Sequence, residues 1–363
     1  RNNRKPFKSK FVFKVKNEPD GSVRFKARLV GCGYSQIKGI DYTYTYAPTP
    51  GFHLVIIILH ISIINNWTVI ANDIGNAYLE AQADTLLYMN LPKDYTNGLQ
   101  QVVRLDGNIN GTKQGALLWA NVIDDVLIKF NCIRSKIEPC LYIYKDREDI
   151  IYIIIYVDDI LMTSNSITQL DRIQKHLAES FKKVTSQGEV RKFLGVQIKK
   201  EIINEIKYLT LHHNDYIIEK MKNINATRNK DTPLPMNIQQ LKNDENDKID
   251  PIHDLVGQIR FLADRCRPDV AFAASFLARF SISATQQQIN ACHRVFQYLN
   301  LTKEDGIKVG SRSKEITLTA YADASFATEE DSKSQLCYAL YLAQDSGACL
   351  FKSWKDKTVS TSS

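Results

Sequence analysis

The sequence contains no CxxC pair and no Cys/His cluster with zinc-ligand spacing, even though it carries 7 cysteines. A structural zinc centre is therefore excluded as its organising principle. The cysteines are odd in number and scattered, and no signal peptide is read ahead of them. They are expected to be reduced thiols of an intracellular protein that is not secreted. The longest apolar run, LVIIILHISII at 54–64, is interrupted by His60 and Ser62 and falls well short of the roughly 20 residues that cross a bilayer. No internal repeat is found. Acid is missing from residues 1–16, RNNRKPFKSKFVFKVK, a run that reads equally as a track for nucleic-acid phosphates or as a disordered tail.

What is present is a chain of 363 residues with a formal net charge of +7, long enough for about two or three domains with real cores. The mild basic excess permits a polyanionic partner without requiring one. VFKVKNEPDGSVRFKARLV predicts two strands around a turn at Pro19-Asp20-Gly21. Residues 52–65 suit a buried helix, WTVIAND a short strand, and IGNAYLEAQ a helix start. Trp119, Val122, Ile123, Val126, Leu127 and Phe130 recur at helical spacing, and an amphipathic helix is expected near 167–181. Residues 222–251 are rich in Asn, Lys and Asp and lack an apolar period, so they read as a linker. A helical pair follows at 253–280 and 285–301, the first with an apolar core-packing stripe. A new β pattern begins at 316. His212-His213 is expected at the surface.

The run IIYIIIYVDDILMT at 150–163 reads as a hairpin that drives Asp158 and Asp159 into apolar surroundings. Asp-Asp at a hairpin tip is ordinary turn chemistry. The functional alternative is metal: two carboxylates about 4 Å apart repel by roughly 4 kcal/mol at an effective dielectric near 20, and a divalent cation reverses that sign. Hard oxygens suit Mg²⁺ or Mn²⁺, which share ligands with substrate phosphates. A further carboxylate must come from elsewhere, and Asp73 qualifies, because it stands where a short strand gives way to a helix.

These residues, YVDD at 156–159 behind NDIGNAYLE at 72–80, resemble a reverse transcriptase, and more narrowly the copia-type Pol polyprotein of LTR retrotransposons. FKARLVGCGYSQIKGIDYTYTYAP (25–48), GTKQGALLW (111–119), EPCLYIY (138–144), GEVRKFLGVQI (188–198), LVGQIRFLADRCRPDVAFAASFLARF (255–280) and YADASFA (321–327) follow in the family's order. The resemblance implies an α+β right-hand polymerase of fingers, palm and thumb over 1–225, a linker at 226–252, a helical connection at 253–310 and a partial RNase H-like α/β unit at 311–363. It implies an RNA- and DNA-templated DNA polymerase acting on an RNA template, a DNA primer/template and dNTPs.

Carried over position by position, the resemblance implies that Asp73, Asp158 and Asp159 hold two Mg²⁺ ions, or Mn²⁺, in two-metal nucleotidyl transfer. Lys26 and Arg28 match positions that reach the incoming triphosphate, and alternation puts both on one strand face. Tyr78 matches the aromatic residue beneath the ribose, and Gln114 a glutamine that contacts the nucleotide near its sugar. Ala116 and Leu117 stand where the family commonly has Pro and Arg, and Ala81 where a glycine is usual. Those departures keep open a decayed remnant that binds nucleic acid with little catalysis. A metal-dependent structural or signalling protein is the remaining alternative.

Asp323 ends a strand where RNase H carries its first metal-binding aspartate. The family's next acid comes just after a segment resembling WKDKTVSTSS, where this sequence stops. The expectation is polymerase activity without RNA degradation. A C-terminal piece from about 310, with Leu340, Leu342 and Leu350 lacking partners, is expected to be loosely folded and prone to aggregate.

Overall fold

The computed structural model describes residues 5–17, 22–222, 224, 230–241, 251–325 and 333–358. The expected turn at Pro19-Asp20-Gly21 lies outside them, as do the start of YADASFA's tail beyond Ser325 and, within the expected linker, residues 225–229 and 242–250. Two compact units emerge, Arg1–Pro50 with Thr68–Glu189, and Gly51–Trp67 with Val190–Ser363. Both mix helix and strand, so the chain is α+β.

In the first unit, β1 (Ser9–Asn17) and β2 (Val23–Gly31) form an antiparallel ribbon. The register pairs Lys14 with Lys26 and Lys16 with Arg24 on one face, and Phe13 with Ala27 and Val15 with Phe25 on the other. Residues 9–16 of the basic run thus lie in a strand and not in a disordered tail. The chain then leaves for the second unit as α1 (Phe52–Ile64) and returns as β3 (Thr68–Ile74), α2 (Ala77–Glu80), β4 (Gln82–Asn90) and β5 (Val102–Gly107). α3 (Gly115–Lys129) leads to β6 (Ile133–Arg134), β7 (Leu141–Asp146), β8 (Asp149–Tyr156) and β9 (Asp159–Ser164), then α4 (Ile167–Ser180) and β10 (Val184–Glu189). Six strands make one sheet in the order β10-β3-β9-β8-β7-β6. The helical stripe expected on α3 is the one that packs: Trp119, Ile123 and Leu127 are buried with Ile151, Ile153, Ile155 and Met162, and Val122, Val126 and Phe130 flank them. From α4, Leu170, Ile173 and Leu177 join the same core. With helices covering it, β8 reads as a continuous apolar run and not an alternating one.

The second unit holds α1, whose side chains are buried nearly all round. It packs against β13 (Ile206–His212), β14 (Ile307–Val309) and β17 (Ala348–Lys355). Among the described residues no helix is long and apolar enough to cross a membrane. A four-stranded sheet runs β11 (Lys192–Phe193), β12 (Val196–Ile203), β13, β14. Helices α5 (Asn214–Met221), α6 (His253–Ala263), α7 (Ala271–Leu277) and α8 (Gln286–Leu301) share a core around Ile217, Ile259, Leu262, Phe276, Val295 and Phe296. A capping box closes the start of α8, where Thr285 and Gln288 satisfy each other's backbone N–H groups. The β pattern from 316 is a separate sheet of β15 (Thr319–Ser325), β16 (Gln335–Tyr341) and β17.

Some expectations are corrected. The helix expected over 253–280 is broken: α6 ends, and a short 3₁₀ turn begins at Pro268 before α7. Proline has no N–H and forces Arg267 out of helical geometry, to φ −124° and ψ 69°. His212 and His213 are not at the surface; they are 8% and 1% exposed. The end of β13 turns them inward, and the His213 ring meets Phe261 edge-on at 5.1 Å. Leu342 is buried rather than unpartnered, while Leu340 and Leu350 are half-buried and oppose each other across β16 and β17.

Candidate active site

β8 and β9 are joined by a two-residue loop, because Tyr156 pairs with Asp159 and only Val157 and Asp158 lie between them. Val157 has φ 56° and Asp158 does not share that left-handed conformation. This is the pattern of a type II′ hairpin turn, whose first central position suits glycine. A β-branched residue held there stores roughly 1–3 kcal/mol of strain, a level that survives only where surrounding structure fixes it. Two bonds fix it here. The Trp119 indole Nε1 donates to the Val157 carbonyl at 2.6 Å, and the Ile74 amide donates to the Asp158 carbonyl at 2.8 Å.

The second bond ties the turn to the residue next to Asp73. Asp73 on β3 is the register partner of Asp159 on β9, so their side chains leave the same face of the sheet as a directly opposed pair. Like charges opposed in this way destabilise a sheet. The consequence is visible in Asp159, whose carboxyl is pushed up to about 6 by burial and then by the charges of Asp158 and Asp73. Asp158 is also raised, mainly by burial, with Asp73 adding to it; its own backbone amide and the charges of Arg28 and Lys26 pull the other way. The positive charge of the ribbon's basic face is therefore felt at Asp158.

Tyr78 on α2 is half-buried, and its hydroxyl is raised by burial, then by the charge of Asp158 and by Tyr156. Its ring is packed close to Gly115: a Cβ at that glycine would sit 3.4 Å from the Tyr78 ring, 2.8 Å from the Thr112 hydroxyl and 2.9 Å from the Asn108 amide. Gln114 is placed differently from what its expected role suggests. It is fully buried, donates from Nε2 to the Asp41 carbonyl at 3.0 Å and accepts from Gln36 Nε2 at 3.2 Å. Its amide sews the Lys113-Gln114-Gly115 turn to the segment at 36–41. Asp323 belongs to the second unit, exposed on β15 opposite Cys337. Trp119 carries no polar signal in sequence, where it is one more apolar position of an amphipathic helix; only its indole N–H, bonded to the Val157 carbonyl, sets it apart.

Among the described residues no set of three His, Cys, Asp or Glu side chains is closed into a preformed cation cage. The residues fit a divalent cation nonetheless. Asp73, Asp158 and Asp159 supply hard oxygens only, and the raised Asp159 carboxyl marks uncompensated negative charge. Mg²⁺ in nucleotide enzymes completes its shell with water and substrate phosphates rather than with a full protein cage.

The chain matches a family described as reverse transcriptase (RNA-dependent DNA polymerase) over residues 1–238. It is 30% identical to the Retrovirus-related Pol polyprotein from transposon RE1 of Arabidopsis thaliana, over 92% of this chain and 23% of that protein. It is 26% identical to the corresponding polyprotein from transposon TNT 1-94 of Nicotiana tabacum, over 98% of this chain and 27% of that protein. A putative transposon Ty5-1 protein of Saccharomyces cerevisiae is 31% identical over 71% of this chain and 84% of its own length. The chain thus spans about a quarter of the Pol polyproteins it matches. Carboxylates on opposed strands and matches that run along most of the chain agree: the protein belongs to the reverse transcriptase family, in the branch carried by copia-type retrotransposon Pol polyproteins.

Proposed function

We propose that this chain is the polymerase of its element, an RNA- and DNA-templated DNA polymerase that extends a DNA primer with dNTPs. In this reading the first unit supplies fingers and palm, and the thumb follows from the second. Residues 253–310 are the connection, and 311–363 a partial RNase H-like unit whose opening strand, β15, carries Asp323. The observation that carries the reading is the opposed pair Asp73 and Asp159 beside Asp158 on a strained, doubly tethered turn. A merely structural hairpin has no reason to collect like charges at its most constrained point.

The three aspartates would hold two Mg²⁺ or Mn²⁺ ions, which when bound supply activation of the primer hydroxyl and neutralisation of the triphosphate. The chain's own residues do the rest by position. The sheet register keeps Asp73 and Asp159 facing each other, and Asp158 is lifted from β8 by the turn. Lys26 and Arg28 present positive charge on the face that Asp158 feels, where a triphosphate would lie. Tyr78, fixed against Gly115, stands beneath the sugar, and its ring is set to exclude a 2′-hydroxyl. Gln114 acts through the turn it anchors, shaping the wall of the nucleotide pocket.

The test is primer extension by the isolated chain on an RNA template with Mg²⁺. Templated extension supports the reading. Binding of primer–template without any extension, in Mg²⁺ or Mn²⁺, would assign the chain to decayed elements.

A further inference from the structure

Resting on that reading of the carboxylates, we propose that Trp119 is a positioning residue for them, its indole N–H holding the Val157 carbonyl and with it the strained turn that presents Asp158 and Asp159. The argument starts from the turn. Val157 sits at φ 56°, in a place where glycine relaxes and valine does not, so the loop has a lower-strain alternative in which Val157 returns to negative φ by a rotation that swings its carbonyl out of its present direction. Rotation would carry the Asp158 side chain away from Asp73.

What opposes rotation is unequal on the two sides. The Asp158 carbonyl is held by backbone, from Ile74. The Val157 carbonyl is held by one side chain, Trp119, at 2.6 Å. That side chain cannot follow a moving turn. It is 2% exposed, anchored on α3 and packed against Phe181 with ring centroids 5.2 Å apart. If the carbonyl left, the indole N–H would be stranded in the core, an outcome buried donors avoid. The turn also has somewhere to go. A cavity of about 220 Å³ opens beside it, lined by Trp119, Val157, Ile155, Ala116 and Tyr78. Packing alone therefore does not hold Val157 in place, and the hydrogen bond does.

The experiment separates the N–H from the ring. Trp119 is replaced by 3-benzothienylalanine, which keeps the bicyclic shape and puts sulfur where the donor was, and separately by phenylalanine (Trp119→Phe). Mn²⁺ binding to the chain is followed by electron paramagnetic resonance, and primer extension by single-turnover kinetics. Both replacements should weaken Mn²⁺ binding and lower kcat by about tenfold or more, the scale on which outer partners of metal ligands act. Primer–template affinity and thermal midpoint of the benzothienyl protein should match the parent. A benzothienyl protein that binds Mn²⁺ and extends primers as the parent does would overturn the proposal, leaving Trp119 a packing residue. A parent that binds Mn²⁺ but never extends a primer refutes the polymerase reading alone, and the Mn²⁺ comparison still decides Trp119. A parent that binds no Mn²⁺ overturns both.

Discussion

The molecule handles charge in two opposite ways. Around Asp73, Asp158 and Asp159, like charges are opposed across strands, and burial with the neighbouring carboxylates pushes Asp159 up to about 6. Around Arg267 every charge is answered. That guanidinium is 1% exposed and grips Asp269 at 2.6 Å. It also donates to the carbonyl and hydroxyl of Thr302, at 2.9 and 2.6 Å, while the Tyr298 hydroxyl donates to Asp269 at 2.8 Å. Burial pushes the Asp269 carboxyl up, yet the hydrogen bonds and charge of Arg267, with help from Tyr298, hold it below the usual carboxylate range. A charge that only supports the fold is paired until nothing is left over. On the proposed function, the aspartates are charges that must accept an exchangeable ligand, and they are left short of partners at a cost to the fold.

Removing one charge from each cluster should therefore fail in different currencies. Asp158→Asn should reduce primer extension by at least about a thousandfold, the scale of the several kcal/mol that metal-held charge supplies, with stability and primer–template affinity at the parent's level. Single-turnover extension beside a binding titration measures this, and activity within about tenfold of the parent would sink the assignment. Arg267→Leu should leave Asp269, whose side chain is partly exposed, with the Tyr298 hydroxyl but without its cation, and cost about 3 kcal/mol of unfolding free energy in urea, the lower end for breaking a buried pair. Adding Asp269→Leu to it should recover most of that loss. If the double variant is no better than the single one, the cluster is not a closed ion pair and the contrast collapses.

How much of this could be read beforehand follows the range of the interactions. The hairpin at 150–163, the strand that carries Asp73, and the helices α1, α3 and α4 were legible because apolar periodicity is local. The order of the motifs made the carboxylates legible as a group. Three things were not. His213 is buried against Phe261 and Cys266, residues far along the chain that leave no mark beside the histidines. Gln114 is engaged by Gln36 and Asp41, also distant in sequence. Trp119 fits the apolar stripe so well that its one polar atom was hidden. The break at Pro268 has a local signal in the proline itself, but the apolar spacing continues across it and masks the break.

His213 sharpens the comparison from the structural side. Its Nδ1 lies 2.7 Å from the Cys266 Sγ, and its imidazole is pushed down to about 4 by burial first, then by the charges of Arg265, His212, Lys192 and Arg267. The cluster thus tolerates His213 only as a neutral ring. An unfolded chain takes up this proton near pH 6.5, before the folded one does, so the full contribution is present above that pH and is lost as pH falls toward about 4. The loss should be about 3 kcal/mol. Urea unfolding of the parent and of His213→Gln across this window measures it. The variant should show a visibly flatter acid limb, and identical limbs would mean that His213 is not the group being titrated.

The smallest effect is the one with the unexpected sign. Asp159→Asn removes a charge from the crowded side of the comparison, where Asp73 stands directly across the strand pair. Relief of opposed like charges, in a group that is partly solvated and so partly screened, is worth about 1 kcal/mol. The variant should be more stable than the parent by that amount at pH 7, although the proposed function predicts that it extends primers less well. Because the Asp159 carboxyl sits near 6 in the folded chain, the penalty it imposes is present above that pH. It fades as pH falls and the folded protein takes up a proton that an unfolded aspartate would still release. The gain should therefore vanish by about pH 4. Mn²⁺ provides the second arm: bound cation should stabilise the parent and close the gap from below, while the variant responds less. Unfolding curves at the two pH values, with and without Mn²⁺, carry the test. A variant less stable than the parent at pH 7 would mean that the Asp73–Asp159 pair is already compensated within the fold, and the distinction between the two kinds of charge would be lost.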